Sequence, residues 1–269
     1  MNILKKYVLI VIYNKSCENL PINKTIQKIE NAAVIIYDNS LKDYGNENYC
    51  RKNEWIYLGG DGNKGLSFAY NAAVKYCRNQ RFDGILCIFD DDTEISSEYF
   101  RVLESSIQED PSSQLFIPIL KSNNKIISPC KLRSNYTCKL FESESNLRMY
   151  RGTRLTAFNS GLAIKTDMFH SLRFDEKLFL DFIDHRFFQE INKRKIKYHI
   201  LAYVSGHNFS GEEHPGITAA LQRFEIFIKD ASVFCEHKRY LFHLLVMKRT
   251  LRLTFEYRTD KFIRITLNS

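Results

Sequence analysis

Three consecutive aspartates, Asp90, Asp91 and Asp92, follow the apolar run 85–89. Adjacent carboxylates repel one another, most strongly where a chain leaves an apolar interior. A divalent cation such as Mg²⁺ or Mn²⁺ would relieve this repulsion, because such ions prefer oxygen ligands and often bridge one or two carboxylates to substrate phosphates. The alternative is a surface turn with solvated aspartates. We favour a metal site that receives a phosphate-bearing substrate.

A second group of acidic residues lies in the segment 174–191, "FDEKLFLDFIDHRFFQEI". Asp181 and Asp184 are three residues apart, so on a helix they would share a face, together with the apolar Phe188 and Ile191. A carboxylate beside an active site can serve as a general base. Acids at a helix N-terminus can instead complement the helix dipole. Both interpretations stay open on the residues alone.

Three further features are compatible with nucleotide or metal binding, each weakly. Asp38 in "YDNS" ends an apolar run, where it could accept hydrogen bonds from a ribose or a base edge, although such residues also favour turns. The glycine-punctuated loop in 59–73 opens a helical pattern and suits phosphates, but it has neither the P-loop nor the GxGxxG order. His207, in a glycine-containing loop, is either a metal ligand or a solvated histidine.

The scaffold for these residues is predicted from alternating apolar runs and helical patterns. Apolar runs bounded by polar turns predict strands buried on both faces, as in a parallel sheet, at 7–13, 32–38, 54–58 and 84–90. Between these runs, the composition is helical at 16–30 and at 64–79. A further helix is predicted to begin at Ser96 or Ser97, either of which is a plausible N-cap. Strands and helices therefore alternate in a βαβ rhythm. This rhythm predicts an α/β layered fold, in which ligands gather at the carboxyl ends of the strands.

The second half of the chain is less regular. Strands are predicted at 114–120, 160–165 and 196–204, and a loop-rich region at 121–157. Helices are predicted at 176–195, 217–235 and 238–257. We therefore expect a catalytic domain at 1–215 and C-terminal amphipathic, basic helices at 216–269.

Charge and cysteine usage bound the partners and the compartment. The formal net charge is +8, and basic residues accumulate from Lys238 onward. Such a tail suggests nucleic acid, an acidic membrane surface or a phosphorylated substrate as partner, or else a solvated basic helix. The seven cysteines include no CxxC pair, which signals neither a zinc site nor a disulfide framework and fits a reducing cytoplasm. The apolar run 7–13 is too short to span a bilayer.

The motifs, taken in order, resemble those of the family 2 glycosyltransferases of GT-A fold, especially bacterial rhamnosyltransferase-like members of polysaccharide and O-antigen assembly. The resemblance covers about residues 5–212 and is carried by "VIYN" (11–14), "YDNS" (37–40), "GNKGLSFAYNAAV" (62–74), "FDDDTEIS" (89–96), "FNSGLAIK" (158–165), "FDEKLFLDFID" (174–184) and "GHNFSG" (206–211). It implies a nucleotide-binding sheet with helices on both faces.

The resemblance also implies roles for individual residues. The nucleotide-sugar donor would contact Asp38, Asn14, Asn63, Gly65, Asp90, Asp91, Ser160 and Gly161. Asp92, with Asp90 and His207, would hold Mn²⁺ or Mg²⁺. Asp181 is preferred as the base that deprotonates the acceptor, and Asp184 is the alternative. The register after these acids reads Arg186, Phe187 and Glu190, where the family commonly has an acidic residue, tryptophan and arginine.

The function implied is inverting transfer of a sugar from dTDP-rhamnose or a UDP-hexose to the hydroxyl of a glycan or lipid-linked acceptor. The basic tail would then place a cytoplasmic, peripheral enzyme on the anionic inner face of the membrane, and no nucleic acid is expected as a partner. The alternatives are a metal-dependent nucleotidyltransferase or phosphatase, and a non-enzymatic membrane-surface or nucleic-acid-binding protein. Neither alternative explains the ordered set of motifs.

Overall fold

A computed structural model describes residues 4–81, 84–94, 96–134, 137–150, 152, 154–206, 216–236 and 238–268. Its strands are β1 (Lys6–Ile12), β2 (Ala32–Asp38), β3 (Ile56–Gly59), β4 (Ile85–Asp90), β5 (Leu115–Ser122), β6 (Lys125–Ser128), β7 (Cys130–Leu132), β8 (Cys138–Leu140), β9 (Leu155–Thr156), β10 (Leu162–Lys165) and β11 (Tyr198–Gly206). Its α-helices are α1 (Asn46–Lys52), α2 (Leu66–Asn79), α3 (Ser97–Glu109), α4 (Glu144–Arg148), α5 (Ile183–Lys193), α6 (Ile217–Cys235), α7 (Arg239–Tyr257) and α8 (Lys261–Leu267).

The central sheet follows the order β11-β5-β10-β4-β1-β2-β3, with β6 paired to β5. The four strands β4, β1, β2 and β3 run parallel, and β10 is antiparallel to both β4 and β5. This mixed α/β, Rossmann-like sheet is typical of the GT-A fold, so the predicted fold class is confirmed.

Alternate residues of β1 enter two different cores, because successive side chains of a strand point to opposite faces. Tyr7 and Leu9 pack with α2 in one core, and Val8 and Ile10 pack with α3 in the other. Both faces of the sheet are therefore covered by helices, which explains why the central strands read as continuous apolar runs.

Three predicted elements differ from the structure. Residues 16–30 form short 3₁₀ turns instead of an α-helix, and Pro21 begins the second of them. Since proline has no backbone N–H, it suits the start of a turn better than a helix interior. The region 121–157 contains β6–β9 and α4 where a loop-rich segment was predicted. The helix predicted at 176–195 begins only at Ile183, after Phe182 adopts a left-handed conformation.

The C-terminal helices form a further hydrophobic cluster. Phe224, Phe227 and Ile228 of α6 pack with Val246 of α7 and Phe262 of α8. The predicted helix at 217–235 is confirmed with the same bounds, and the segment 238–257 is confirmed as α7. No helix in the described part of the chain combines the length and apolarity that crossing a membrane requires.

Candidate active site

The carboxyl ends of three neighbouring parallel strands bring the predicted acidic residues to one edge of the sheet. In the register of the sheet, Ile12 of β1 pairs with Asp38 of β2, and Val11 pairs with Asp90 of β4. Asp38 and Asp90 therefore flank the end of β1. This position is where open α/β sheets bind ligands.

Asp38 is buried and its carboxylate is well supplied with donors. One oxygen accepts from the Ser40 N–H at 2.8 Å, and the other accepts from Asn46 Nδ2 at 2.9 Å and the Tyr57 hydroxyl at 3.1 Å. A carboxylate offers about four acceptor positions, so little of this capacity is left for a ligand. Asn14 fixes the adjoining loop, since its N–H donates to Ser40 Oγ at 2.9 Å and its Oδ1 accepts from the Leu41 N–H at 3.0 Å.

The glycine-punctuated loop packs against the acidic segment around residue 180. Asn63 Oδ1 accepts from the Gly65 N–H at 3.0 Å, and the Leu66 N–H donates to the Phe179 carbonyl at 2.7 Å. Gly65 has φ +85°, and a Cβ there would lie 2.7 Å from Phe179. Only glycine allows this approach, so Gly65 joins the loop to the segment that leads to Asp181.

The three adjacent aspartates meet three different environments. Asp91 forms an ion pair with Lys15, with 2.8 Å between Nζ and Oδ1, while Asp92 is exposed. Burial, followed by repulsion from Asp92, raises the pKa of Asp90 to about 7, although a hydrogen bond with Ser160 opposes this shift. Asp184 and Asp91 add to the repulsion.

Ser160 and Gly161 support the end of β4. Ser160 Oγ lies 2.9 Å from Thr93 Oγ1 and 3.5 Å from the Asp90 nitrogen, and the Gly161 N–H donates to the Ile88 carbonyl at 2.7 Å. Gly161 has φ +76°, and a Cβ there would lie 2.8 Å from the Pro118 ring. Gly161 is therefore required for packing whatever its contact with a substrate.

A cavity of about 670 Å³ opens beside Asp90. Its lining includes Asp90, Ser160, Asp181 and Asp184, and it also includes residues of α6 and α7. Several predicted site residues are not part of that lining and belong to the neighbouring strand ends and loops. They are Asp92, Asp91, Asp38, Asn14 and Asn63. A larger cavity, about 1020 Å³, lies between α3 and β11 and is lined by a different set of residues.

Asp181 and Asp184 do not share a helix face, contrary to the prediction from their spacing. Asp181 precedes α5, and the left-handed Phe182 stands between it and the helix. Arg223 of α6 donates to both oxygens of Asp181, and Arg249 of α7 lies 3.6 Å from Asp181 Oδ1. Asp184 lies in the first turn of α5. Burial raises the pKa of Asp184, with a further rise from Asp181 and an opposing effect of His185.

A buried aspartate on α6 holds the segment that carries Asp181. Asp230 accepts hydrogen bonds from the N–H groups of Phe179, Leu180 and Asp181 at 2.9, 2.8 and 2.7 Å. Sequence reasoning missed this residue, although an aspartate on the apolar face of an amphipathic helix was a readable signal. It also missed Lys15, Arg223 and the inward orientation of Arg249, for which no local pattern gave a signal.

The residues at the end of β4 fit a divalent cation. Asp90 and Asp92 supply oxygen ligands whose mutual repulsion a cation would relieve, and the Oδ1 atom of the neighbouring Asn159 is buried without a hydrogen-bond partner. Within the described residues, no group of three or more His, Cys, Asp or Glu side chains could hold a metal. Two carboxylates nevertheless suffice when substrate phosphates supply further ligands. His207 lies outside the described residues.

Comparison with solved structures supports the fold. The chain matches a mannosyltransferase from Pyrobaculum calidifontis, solved in complex with GDP-Man and Mn²⁺, with TM-score 0.53 and 14% identity over 85% of this chain and 63% of that one. It matches glucosyl-3-phosphoglycerate synthase from Mycobacterium tuberculosis, solved with Mn²⁺, UDP and glucosyl-3-phosphoglycerate, with TM-score 0.54 and 11% identity over 86% and 80%. This chain therefore spans less than two thirds of the mannosyltransferase.

The sequence comparisons address the family. No curated protein matches the sequence significantly. The family model described as glycosyl transferase family 2 matches residues 7–179, a span that includes Asp38, Asp90 and the loop at Gly65. This span is more than half of the 269 residues. The chain therefore belongs to glycosyl transferase family 2.

Proposed function

We propose that the chain is an inverting glycosyltransferase that moves a sugar from a nucleoside-diphosphate donor to an acceptor hydroxyl in cell-surface polysaccharide synthesis. The donor would be dTDP-rhamnose or a UDP-hexose, and the acceptor a glycan or a lipid-linked glycan. The observation that carries the proposal is the meeting of Asp38 and Asp90 at one sheet edge, beside a cavity that also contains Asp184. The solved relatives bound to GDP-Man or UDP support a nucleotide-linked donor.

Asp90 and Asp92 would hold Mn²⁺ or Mg²⁺. When bound, the cation would neutralise charge on the leaving diphosphate. Asp91 stays paired with Lys15, and Ser160 orients Asp90 through their hydrogen bond. Asn14, Asn63 and Gly65 would shape the nucleotide side through the loops that they fix, and Asp38 would offer its remaining acceptor position to the ribose or base.

Asp184 is the better-placed general base of the two candidates. Both oxygens of Asp181 accept hydrogen bonds from Arg223, which leaves them poorly placed to receive a proton. Asp184 lines the cavity, acts electrostatically on Asp90, and has a raised pKa. A raised pKa brings a carboxyl closer to the operating pH of a general base. Asp184 would accept the proton of the acceptor hydroxyl, and Asp181 would hold the arginines in place.

Binding of a nucleotide-sugar panel tests the donor site. UDP-, dTDP- and GDP-linked sugars are compared with Mn²⁺ and with EDTA, and the thermal stability of the full chain is measured. A donor at a hundredfold excess over Kd raises the free energy of unfolding by about 2.7 kcal/mol. We expect a Mn²⁺-dependent rise for donors of one base, lost in Asp92→Asn.

Glu94→Gln is the matched control, since it removes one exposed carboxylate from the same loop and should keep the rise. No rise with any donor, or a rise that survives both EDTA and Asp92→Asn, would contradict the proposed metal-dependent donor site.

We infer in addition that α7 docks on the anionic inner face of the membrane. Its outward side carries an exposed apolar stripe at helical spacing, formed by Tyr240, Leu244, Met247, Leu251 and Phe255. Lys248 and Arg252 are exposed beside this stripe. An apolar stripe bordered by basic residues complements an anionic bilayer surface. Docking there would bring the cavity to a lipid-linked acceptor.

A further inference from the structure

The cavity beside Asp90 has walls of opposite charge. Asp90 and Asp184 lie on one side, on β4 and α5, while Arg223, Arg249 and Arg252 come from α6 and α7. Asp184 acts electrostatically on Asp90 and is itself influenced by Asp181, to which Arg223 and Arg249 bind. The acidic residues and the arginines therefore line one cavity.

Arg252 differs from the other two arginines of the cavity lining in its ion-pair partners. Asp181 is the carboxylate that pairs with Arg223 and Arg249, and Arg252 forms no ion pair within the described part of the chain. Glu256 also lines the cavity. The whole lining carries three guanidinium groups and the four carboxylates Asp90, Asp181, Asp184 and Glu256. Arg252 is therefore set apart by having no ion-pair partner among the described residues, and not by an excess of positive charge.

Arg249 is partly buried, and its contacts compensate this burial only in part. Its guanidinium lies 4.2 Å from the centre of the Phe227 ring, and its Nε is buried without a hydrogen-bond acceptor. Burial lowers the pKa of Arg249, and Arg223 and Arg252 lower it further, while Asp181 opposes the shift. Crowded, partly buried cations are stabilised by an additional anion, and guanidinium groups match phosphate and carboxylate oxygens in geometry.

We propose that Arg252, with Arg249 and Arg223, binds an anionic group of the acceptor while Asp184 receives the proton of its hydroxyl. The inference rests on the proposed glycosyltransferase function and specifies its acceptor class. The anionic group is a phosphate or a carboxylate, which a lipid-linked diphosphate or an acidic sugar would supply. Arg252 acts as the specificity-determining residue, because it is exposed in the cavity lining and unpaired among the described residues.

Titration calorimetry on the full chain in EDTA tests this site without donor or metal. The probes are inorganic pyrophosphate, which represents the lipid diphosphate, and glucuronate, which represents an acidic sugar. We expect at least one probe to bind, and Arg252→Gln to weaken that binding about tenfold, the effect of one charge-assisted hydrogen bond. Arg252→Lys should retain part of the affinity. The probe that shows this dependence identifies the source of the anion.

The matched control is Lys229→Gln, which removes one positive charge from an exposed position of α6 outside the cavity lining and should leave binding unchanged. Thermal unfolding of each variant checks that the fold is intact. The proposal is overturned if neither probe binds, or if Arg252→Gln and Lys229→Gln weaken binding equally. A positive donor panel combined with either result would leave the glycosyltransferase function standing and remove only the anionic acceptor site.

Discussion

At the scale of single residues, the repulsion between three adjacent aspartates is reduced in a different way at each of them. Lys15 pairs with Asp91, solvent surrounds Asp92, and Asp90 keeps a proton to a higher pH than usual. A half-buried carboxylate with a pKa of about 7 is unfavourable for folding when ionised. Such a cost is typical of functional sites, where it prepares a group for a ligand.

The raised pKa of Asp90 predicts a pH-dependent difference in stability between the wild-type chain and Asp90→Asn. The folded state binds the proton more tightly than the unfolded state, whose ordinary pKa is 3.8. The contribution of Asp90 to the free energy of unfolding is therefore intact below the unfolded pKa and declines until pH passes about 7. Because Asp90 keeps partial solvent contact, the effect is smaller than the full shift in pKa would give. We expect the free energy of unfolding of the wild-type chain to fall by about 2 kcal/mol relative to that of Asp90→Asn over this pH range.

Urea unfolding in EDTA at about pH 5 and about pH 8 measures this difference. Glu94→Gln, an exposed neighbour, should differ from the wild-type chain by a nearly constant amount. A difference for Asp90→Asn that does not change with pH would show that the folded state does not perturb this carboxyl.

Substitution of the two candidate bases separates catalysis from structure. We expect Asp184→Asn to lower kcat by about 10²–10⁴ with little change in donor Kd, because it removes the proton acceptor. Asp181→Asn leaves two partly buried arginines without their carboxylate and should lower the free energy of unfolding by about 1–3 kcal/mol. Release of the nucleoside diphosphate and urea unfolding are the two readouts. If Asp181→Asn were the variant with normal stability and the larger loss of kcat, the assignment would be reversed.

At the scale of elements, α6 organises the acidic segment from outside the sheet. Asp230 fixes three consecutive backbone N–H groups, and Arg223, on the same helix, fixes the Asp181 side chain. Phe182, which has the left-handed conformation, stacks on Phe234 of the same helix α6, with 4.7 Å between the ring centres. One helix therefore sets the position of the segment that leads into Asp184.

Removal of the Asp230 carboxylate tests this role. Asp230→Ala leaves three N–H groups in a buried site without an acceptor and should lower the free energy of unfolding by about 3–5 kcal/mol. Asp230→Asn keeps one acceptor oxygen, so it should lower the free energy of unfolding by less. It should still shift the 179–184 segment and therefore reduce kcat. Lys229→Ala, at the adjacent exposed position of α6, should change stability by less than about 0.5 kcal/mol. Equal stability of the alanine variants would refute the bracing role of Asp230.

At the scale of the whole molecule, α7 presents two apolar sides. Leu241, Val246 and Leu253 are buried against the protein, while the stripe that includes Leu251 and Phe255 is exposed. A helix that only completes a hydrophobic core would have a polar outer side. Exposed apolar patches of this kind mark interaction surfaces, and the bordering lysine and arginine favour an anionic bilayer over an apolar protein partner.

Vesicle binding tests the docking surface. We expect the full chain to sediment with vesicles that contain phosphatidylserine and to be released by salt, which screens the electrostatic part. Leu251→Ser combined with Phe255→Ser should weaken binding at least about tenfold, since each buried apolar side chain contributes about 1.5–3 kcal/mol. Leu140→Ser, at an exposed leucine of β8, is the control. Undiminished vesicle binding of the double variant would argue against membrane docking. So would a result in which the wild-type chain binds no vesicles but forms a dimer, and the double variant does not form that dimer.

The sequence by itself determined the α/β fold, the burial of β1, β2 and β4, the bounds of α6, and the position of Asp38 and Asp90 at strand ends. These features follow from local periodicity and from the geometry of parallel strands. The order of the motifs determined the family.

Only the tertiary structure decided what each carboxylate contacts. Asp181 meets Arg223 across 42 residues, and its backbone N–H meets Asp230 across 49. Such contacts arise when α6 and α7 pack against the domain, and no local pattern encodes them. The prediction that Asp181 and Asp184 share a helix face was wrong because α5 begins only after the left-handed Phe182. Asp181 therefore pairs with arginines, while Asp184 lies on the helix and lines the cavity beside Asp90.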